Sequence, residues 1–531
     1  MANKFLDAMA NVAYTENGAF SYKTTGSDLV DQFSKAGCYI GRDINDVFED
    51  MINIWNESPL DALRFVFYLR LITRKVKVSE SETTDTVQKG QGLKDEVFKR
   101  LLWVAKKHSE TFYNNIWLLP IIGSWKDLWV LMYYDKQFGV HAIDEEEIFD
   151  IISQGLKEAS QTDLVRKFMP RIKSNSKCTT FWSKVSNSLA KHYAKHCGLT
   201  YQEYNKIKSS GLAHEFQQQI SAGRYSEISW NKIPGKALSN LTNGNFLRNH
   251  NLVENFIRWI MEQPTTKYTG YVFELLKKYL DNKRGGNLMY KNILINKQFD
   301  ELVSKAEADG KISGNVLCAL DTSGSMSWGI LGTNVSVYDV CVSLGMFFST
   351  LNKGAFHKNV AMFDNHSRLL QLSGTFTEMV DEILAQSTAW GSTNFQSLID
   401  EIVRVRKTRT DIPLEDFPKT ILVVSDMQFN PAGGYQTNYE AMKNKLLEAF
   451  PEDFVNDMKF IWWDCIGRRE DAPATMEDNG CYFFSGFDGS IISQLLGTEV
   501  EEKDNIERKN PTMEEVLNKA LTQDILLNVE V

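Results

Sequence analysis

The chain lacks paired cysteines. Its seven, Cys38, Cys178, Cys197, Cys318, Cys341, Cys465 and Cys481, stand singly, are odd in number and form no C-x-x-C. That argues against a disulfide framework and a structural zinc site and suits a reducing cytosol, so a cytoplasmic location is expected. No apolar run approaches the ~20 residues a bilayer crossing needs. The first residues, Met1-Ala-Asn-Lys-Phe-Leu-Asp7, lack the apolar stretch of a signal peptide, and no membrane association is expected. Catalytic signatures are missing too. There is no G-x-x-x-x-G-K-[ST], since Pro234-Gly235-Lys236-Ala237 lacks the first glycine and the hydroxyl. No G-x-G-x-x-G follows a strand, and there is no G-x-S-x-G or H-E-x-x-H. His192 and His196 lie four apart on one predicted helix face but have no third ligand, and His141 and His214 add no metal spacing. With no nucleophile beside a base in view, a non-enzyme is expected.

What is present is size, charge asymmetry and one loop. At 531 residues the chain exceeds a single core, and two or three domains are expected. Hydrophobic residues make up 43% and aromatics 12%, which fits a well-packed protein. The net charge is −9, yet residues 161–300 hold 22 Lys/Arg against 9 Asp/Glu, a local balance of +13 that leaves −22 for the rest. So basic a block in an acidic chain suggests either an anionic partner or a solvated helical surface.

Residues from about 28 to 305 read mostly as helices. Leu60, Leu63, Phe67 and Leu71 recur at spacings of three and four after Pro59, and Val272, Leu275, Leu276 and Tyr279 repeat the pattern. Short breakers such as Ala36-Gly37, Ile122-Gly123-Ser124 and Gly285-Gly286 separate them, which suggests stacked helical pairs. The polar, Gly-ended stretch Ser79–Gly92 reads as a loop. Near residue 312 the pattern turns to alternating strands and helices. Strands are expected at 315–320, 357–363, 419–425, 458–463 and 481–484, with helices at 335–351, 376–384, 394–406, 438–450 and 490–496. This succession implies a mostly parallel, doubly wound sheet. The last part, 501–531, begins charged and then offers a helix at 513–521.

The loop is Asp321-Thr322-Ser323-Gly324-Ser325, at the end of the apolar run Val316–Leu320. Asp-x-Ser-x-Ser after a strand places three hard oxygen ligands on one tight turn. Thr393, in Trp390-Gly-Ser-Thr-Asn-Phe395, and Asp426, after the run Ile421–Ser425, add two more where an open sheet gathers its strand ends. Hydroxyls and carboxylates without His or Cys select a hard ion, Mg²⁺ most naturally, with Mn²⁺ or Ca²⁺ as alternatives. So few charges leave the ion electron-poor and open to an acidic partner ligand. Taken alone, Asp-x-Ser-x-Ser is only a turn sequence; the strand before it and the two downstream oxygens make it a metal site.

These stretches, with Ser425-Asp-Met-Gln-Phe429, resemble a von Willebrand factor A domain and its metal-ion-dependent adhesion site. The family's ligands match Asp321, Ser323, Ser325, Thr393 and Asp426. Ser229-Trp-Asn-Lys-Ile-Pro-Gly-Lys-Ala-Leu238 and Asn245-Phe-Leu-Arg-Asn-His250 precede that region, and the whole chain is similar to TROVE/Ro-type proteins, nearest to a Ro-like family with the Ser-Asp-Met-Gln-Phe signature. The resemblance implies a multidomain α and α/β protein. A helical-repeat (HEAT-like) TROVE-like domain would span about 1–310, a doubly wound A domain 311–500, and a C-terminal tail 501–531. It also implies a ribonucleoprotein role, with small structured or misfolded RNA held on helical repeats. The basic block would then supply the phosphate contacts through Arg171, Lys173, Lys177, Lys184, Lys191, Lys195, Lys206, Lys208, Lys232, Lys236, Arg248 and His250. Tyr193, Tyr201, Tyr204 and Trp230 are candidates to stack bases, and each taken alone is a core residue. No DNA partner is indicated. The alternative is an adaptor whose A domain recruits an acidic protein partner, such as an AAA+ ATPase, with the helices as scaffold. A metal-dependent nuclease would require a second ion or a general base, and neither is indicated.

Overall fold

The computed structural model describes residues 9–76, 86–210, 215–286, 288–308, 315–330, 334–386, 391–467, 471–489 and 510–531. The chain forms two compact units, one of Met1–Ile40 with Pro234–Thr522, the other of Gly41–Ile233 with Gln523–Val531. This is not the linear division expected near residue 310. The N-terminal hairpin, β1 (Ala13–Tyr14) and β2 (Phe20–Ser21), and the helix α1 (Asp28–Lys35) belong with the sheet. Tyr22 exchanges both backbone hydrogen bonds with Ala472, at 2.9 and 2.7 Å. α1 is capped by Ser27, whose hydroxyl accepts from Val30 N–H, and it packs on the edge strand Cys481–Ser485.

The other unit is helical. α2 (Ile44–Glu57) and α3 (Pro59–Arg70) pair; Ser58 caps the second by accepting from Asp61 N–H, with Pro59 in the first turn as its spacing predicts. Strands β3 (Ile72–Val76) and β4 (Thr86–Gln91) then pair antiparallel. The expected loop at 79–92 is thus corrected, since its second half is a strand; residues 77–85 lie outside those described. Hydrophobic alternation gives no warning because the strand is polar. Its polar groups are met by the end of the chain: Lys89 N–H donates to Gln523 Oε1 at 2.7 Å, and Gln523 Nε2 donates back to Lys89 C=O at 2.9 Å. Further helices follow, α4 (Asp95–Lys107), α5 (Trp125–Phe138), α6 (Glu145–Lys157), α7 (Thr162–Phe168), α8 (Phe181–His196) and α9 (Tyr201–Ser209), most of them packed on helices near them in sequence.

In the sheet unit, β5 (Val316–Asp321), β6 (Asn359–Phe363), β7 (Ser367–Gln371), β8 (Thr420–Ser425), β9 (Lys459–Asp464) and β10 (Cys481–Ser485) form one sheet in the order β10-β9-β8-β5-β6-β7. All neighbours are parallel except β6 and β7. The five expected strands are present within a residue or two, and β7 is an addition. Its side chains, Ser367-Arg-Leu-Leu-Gln371, are partly exposed, as suits an antiparallel edge rather than a buried parallel strand. β5, β6 and β8 are buried throughout. α10 (Val272–Arg284), α11 (Met289–Ala308) and α12 (Val337–Leu351) pack together, and α12 lies on β5. The helix expected at 490–496 lies outside the described residues; the one at 513–521 is present as Met513–Leu521 and packs on β10. Among the described residues no helix is long and apolar enough to cross a membrane.

α12 approaches β5 across a glycine: a Cβ on Gly345 would sit 2.2 Å from Leu320 Cδ2. Leu320 immediately precedes Asp321, so this close packing supports the loop above it. Gly345→Ala is expected to destabilise the sheet unit by about 1–3 kcal/mol. Thermal unfolding checks this, and an unchanged midpoint would contradict the packing described.

Candidate metal centre

β5 and β8 are adjacent parallel strands with Leu320 opposite Val424, so Asp321 and Ser425-Asp426 leave the sheet side by side. The strand order reverses between them, which opens a crevice at the carboxyl ends. Asp321 is fully buried. Its Oδ1 accepts from Ser323 N–H at 2.9 Å, and its Oδ2 accepts from Ser425 Oγ at 2.5 Å. The hydroxyls of Ser323 and Ser325 stand 3.3 Å apart. Asp426 Oδ1 also accepts from Gln428 N–H at 3.1 Å. The turn that allows this places buried Met427 at φ 65°, a left-handed conformation that costs a side-chain-bearing residue about 1–3 kcal/mol.

Thr393 is brought in by backbone links. Gly324 N–H donates to Gly391 C=O at 3.0 Å, and Asn430 N–H donates to Thr393 C=O at 3.0 Å. Gly391 leaves room for Asn365, whose Nδ2 would lie 2.5 Å from an added Cβ, and Asn365 Oδ1 accepts from both Ser392 N–H and Ser392 Oγ. The five oxygen-bearing residues expected from sequence therefore sit on three loops bonded to one another. Hydrogen bonds join Asp321 to Ser323 and Ser425, and the Ser323 hydroxyl to that of Ser325, while Gln428 N–H fixes Asp426. Thr393 is tied through the main chain, and its hydroxyl accepts from Asn17 Nδ2 at 3.4 Å.

The two carboxylates sit in an unfavourable electrostatic setting. Burial, and then the neighbouring Asp426, push the Asp321 carboxyl up to about 7. Burial also raises Asp426, with Asp464 and Glu16 adding to the push. Among the described residues neither carboxylate has a Lys or Arg ion-pair partner. Nor does any trio of His, Cys, Asp or Glu converge there, so an ion site in this region must draw on hydroxyls. Two carboxylates and three hydroxyls fit a hard divalent ion.

Sequence reasoning leaves Ser425, Gln428 and the hairpin loop Thr15–Gly18 without a role. Ser425 precedes Asp426 at the strand end, and its hydroxyl both accepts from Met427 N–H at 2.9 Å and orients Asp321. A hydroxyl one residue before a strand-end aspartate is a readable signal. The hairpin, about 400 residues away in sequence, carries none.

The basic candidates fall on both units. Lys236, Arg248 and His250 belong to the sheet unit, the other nine to the helical unit. Lys236 pairs with Glu274 at 3.0 Å, and Lys208 braces the C=O groups of Arg166 and Lys167 at 3.2 and 3.3 Å. Lys191 donates to Asn175 Oδ1 at 2.9 Å and lies over the Tyr201 ring. Arg171, Lys173, Lys177, Lys184, Lys195, Lys206 and Lys232 are exposed. Of the aromatics, Tyr193, Tyr204 and Trp230 are buried core, and only Tyr201 is exposed, at 51%. His192 and His196 pair instead with Glu145 and Asp150 on α6, at 2.6 and 2.9 Å. Ser188, Lys191, His192, Lys195, Gly198, Leu199 and Tyr201 surround a cavity of about 560 Å³ on the helical unit.

Residues 315–526 match a family described as a domain of unknown function, DUF7788. The chain is 23% identical over 533 residues to an uncharacterised protein, L728, of Acanthamoeba polyphaga mimivirus, with 92% of this chain and 86% of that protein covered. A structural comparison pairs it with the crystal structure of the Deinococcus radiodurans RO (RSR) protein, at 12% identity and a TM-score of 0.35, over 88% of this chain and 98% of that one.

Proposed function

We propose that this chain is a non-catalytic binding protein of Ro-like architecture. Its sheet unit engages an acidic ligand through a Mg²⁺-type adhesion site at Asp321, Ser323, Ser325, Thr393 and Asp426, and its helical unit holds RNA. The observation that carries the first part is the meeting of two buried, cation-less carboxylates with three hydroxyl residues on interlocked loops at the sheet's reversal point. A divalent ion held by these residues would supply a positive centre for an acidic oxygen ligand. Ser425 and the Ser323 and Gln428 N–H groups then hold the two carboxylates in place. Resemblance to the von Willebrand factor A domain supports this reading.

For RNA, the support is the charge of residues 161–233, with 12 Lys/Arg against 4 Asp/Glu, the Ro-type resemblance, and the cavity where Lys191, Lys195 and an exposed Tyr201 stand together. Two cations beside an aromatic face suit a nucleotide of a single strand. Lys191→Glu with Lys195→Glu is expected to weaken single-stranded RNA binding by the full-length protein at least about tenfold. The slope of log K against log salt should fall by about 1.4, at about 0.7 for each phosphate no longer neutralised. A wild-type protein without salt-dependent RNA affinity would sink the RNA reading. The adaptor reading, with an acidic protein partner at the metal centre, would then stand in its place.

A further inference from the structure

The N-terminal hairpin lies on the metal centre. β1 and β2 pair Ala13 with Ser21 and Tyr14 with Phe20, and the loop between them turns tightly, with Gly18 at φ 83° and its N–H on Thr15 C=O at 2.9 Å. Thr15 accepts from Ala19 N–H and donates its hydroxyl to Phe429 C=O at 2.8 Å. Glu16 N–H donates to Gln428 Oε1 at 2.6 Å. Asn17 Nδ2 donates to Gln428 C=O and reaches the Thr393 hydroxyl, itself one of the candidate ligands. The loop therefore docks on both the Thr393 loop and the Asp426 loop.

Its one acidic side chain is Glu16, whose N–H is held by Gln428, two residues beyond Asp426, and whose carboxylate is exposed. Docking a loop that carries an acidic residue against two buried carboxylates is unfavourable by itself. None of the three has an ion-pair partner among the described residues. The arrangement becomes favourable when a cation lies between them.

We infer that the Thr15–Gly18 loop is an internal occupant of the metal centre, with the Glu16 carboxylate as the acidic ligand supplied in cis, so that a partner's carboxylate competes with it for the ion. This rests on the metal-centre reading above. In this structure Glu16 stands at the rim with its side chain exposed, and rotation about its side-chain bonds is the motion that delivers the carboxylate.

The test uses the full chain with Mn²⁺ as the ion and acetate as the carboxylate probe. Bound Mn²⁺ is counted by electron paramagnetic resonance, and acetate at the ion by the relaxation of its ¹³C signal. Glu16→Gln is expected to weaken Mn²⁺ binding about tenfold, the lower end of what a lost supporting ligand costs. It should also let acetate reach the ion at about tenfold lower concentration than in wild type. Asn17→Ala, which keeps the carboxylate but loosens the loop, should admit acetate with a smaller loss of Mn²⁺ affinity. Glu16 is exposed, so neither substitution threatens the fold. If both variants match wild type while Asp321→Ala still abolishes Mn²⁺ binding, the internal-ligand inference is overturned and the metal centre stands. If wild type binds no Mn²⁺, both are overturned.

Discussion

Asp321→Ala is expected to abolish the stabilisation of this protein by divalent ions. An ion that binds only the folded chain adds about 2.7 kcal/mol when present at a hundredfold its dissociation constant. That corresponds to a rise of roughly 4 °C in the melting of a unit this size. In wild type, Mg²⁺ or Mn²⁺ should produce the shift. In Asp321→Ala it should be absent, because the carboxylate at the end of β5 joins the Ser323 loop to Ser425, next to Asp426. Asp321→Asn keeps the shape and removes the charge, so it separates loss of the ion from loss of the fold. That variant should melt cooperatively without a response to Mg²⁺. Burial of two adjacent carboxylates makes the metal-free wild type the strained form, and the variant is expected to be at least as stable as wild type in chelator. A full Mg²⁺ shift in Asp321→Asn would contradict this account.

The largest stability effect is expected in the other unit, at Asp127. Arg70 is fully buried, and both its Nε and Nη2 donate to Asp127 Oδ2, at 3.0 and 2.5 Å. The same oxygen accepts from Ser124 N–H at 2.7 Å and so closes the capping box of α5. Gly123 packs over the pair; a Cβ there would lie 2.3 Å from Asp127 Oδ2 and 2.7 Å from the Arg70 guanidinium carbon. Nothing in so tight a site can replace the carboxylate, and Asp127→Ala leaves a guanidinium buried without its counter-charge. The expected cost is about 3–5 kcal/mol, with much of it recovered when Arg70→Met accompanies Asp127→Leu. Denaturant unfolding of the helical unit measures this. A loss under about 1 kcal/mol for Asp127→Ala would show that the pair is not buried as described.

Much of the sheet unit was legible because its signals are local. Continuous apolar runs such as Ile421–Val424 become buried parallel strands, and Asp321 and Asp426 end two such runs that happen to be neighbours. Asp321, Ser323, Ser325 and Asp426 could be named from sequence because each sits at or just beyond such a run, and Thr393 from its Gly-Ser-Thr loop before a helix. Other features were not legible. β4 is a polar strand whose pairing is satisfied by residues from the chain's end, so it shows no hydrophobic alternation. β7 is a partly exposed edge, Ser367-Arg-Leu-Leu-Gln371, whose adjacent leucines break the period-two alternation. The docking of Thr15–Asn17 on Gln428 and Phe429 joins groups more than 400 residues apart through backbone and amide bonds, which leave no periodic trace. The division into units escapes the sequence for the same reason. Tyr22 pairing with Ala472 ties the first 40 residues to the sheet, and no pattern in residues 1–40 announces it. Among the stacking candidates, helical spacing could not distinguish buried Tyr193 and Tyr204 from exposed Tyr201.

The most direct test of the central claim is a Mn²⁺ titration of the full-length chain followed by electron paramagnetic resonance, with Mg²⁺ as competitor. The account predicts one bound ion per chain, displaced by Mg²⁺, and no bound ion in Asp321→Ala or Asp426→Ala. Wild type that binds no Mn²⁺, or variants that bind it as wild type does, would contradict the claim that these two carboxylates and their three hydroxyl partners form a metal centre.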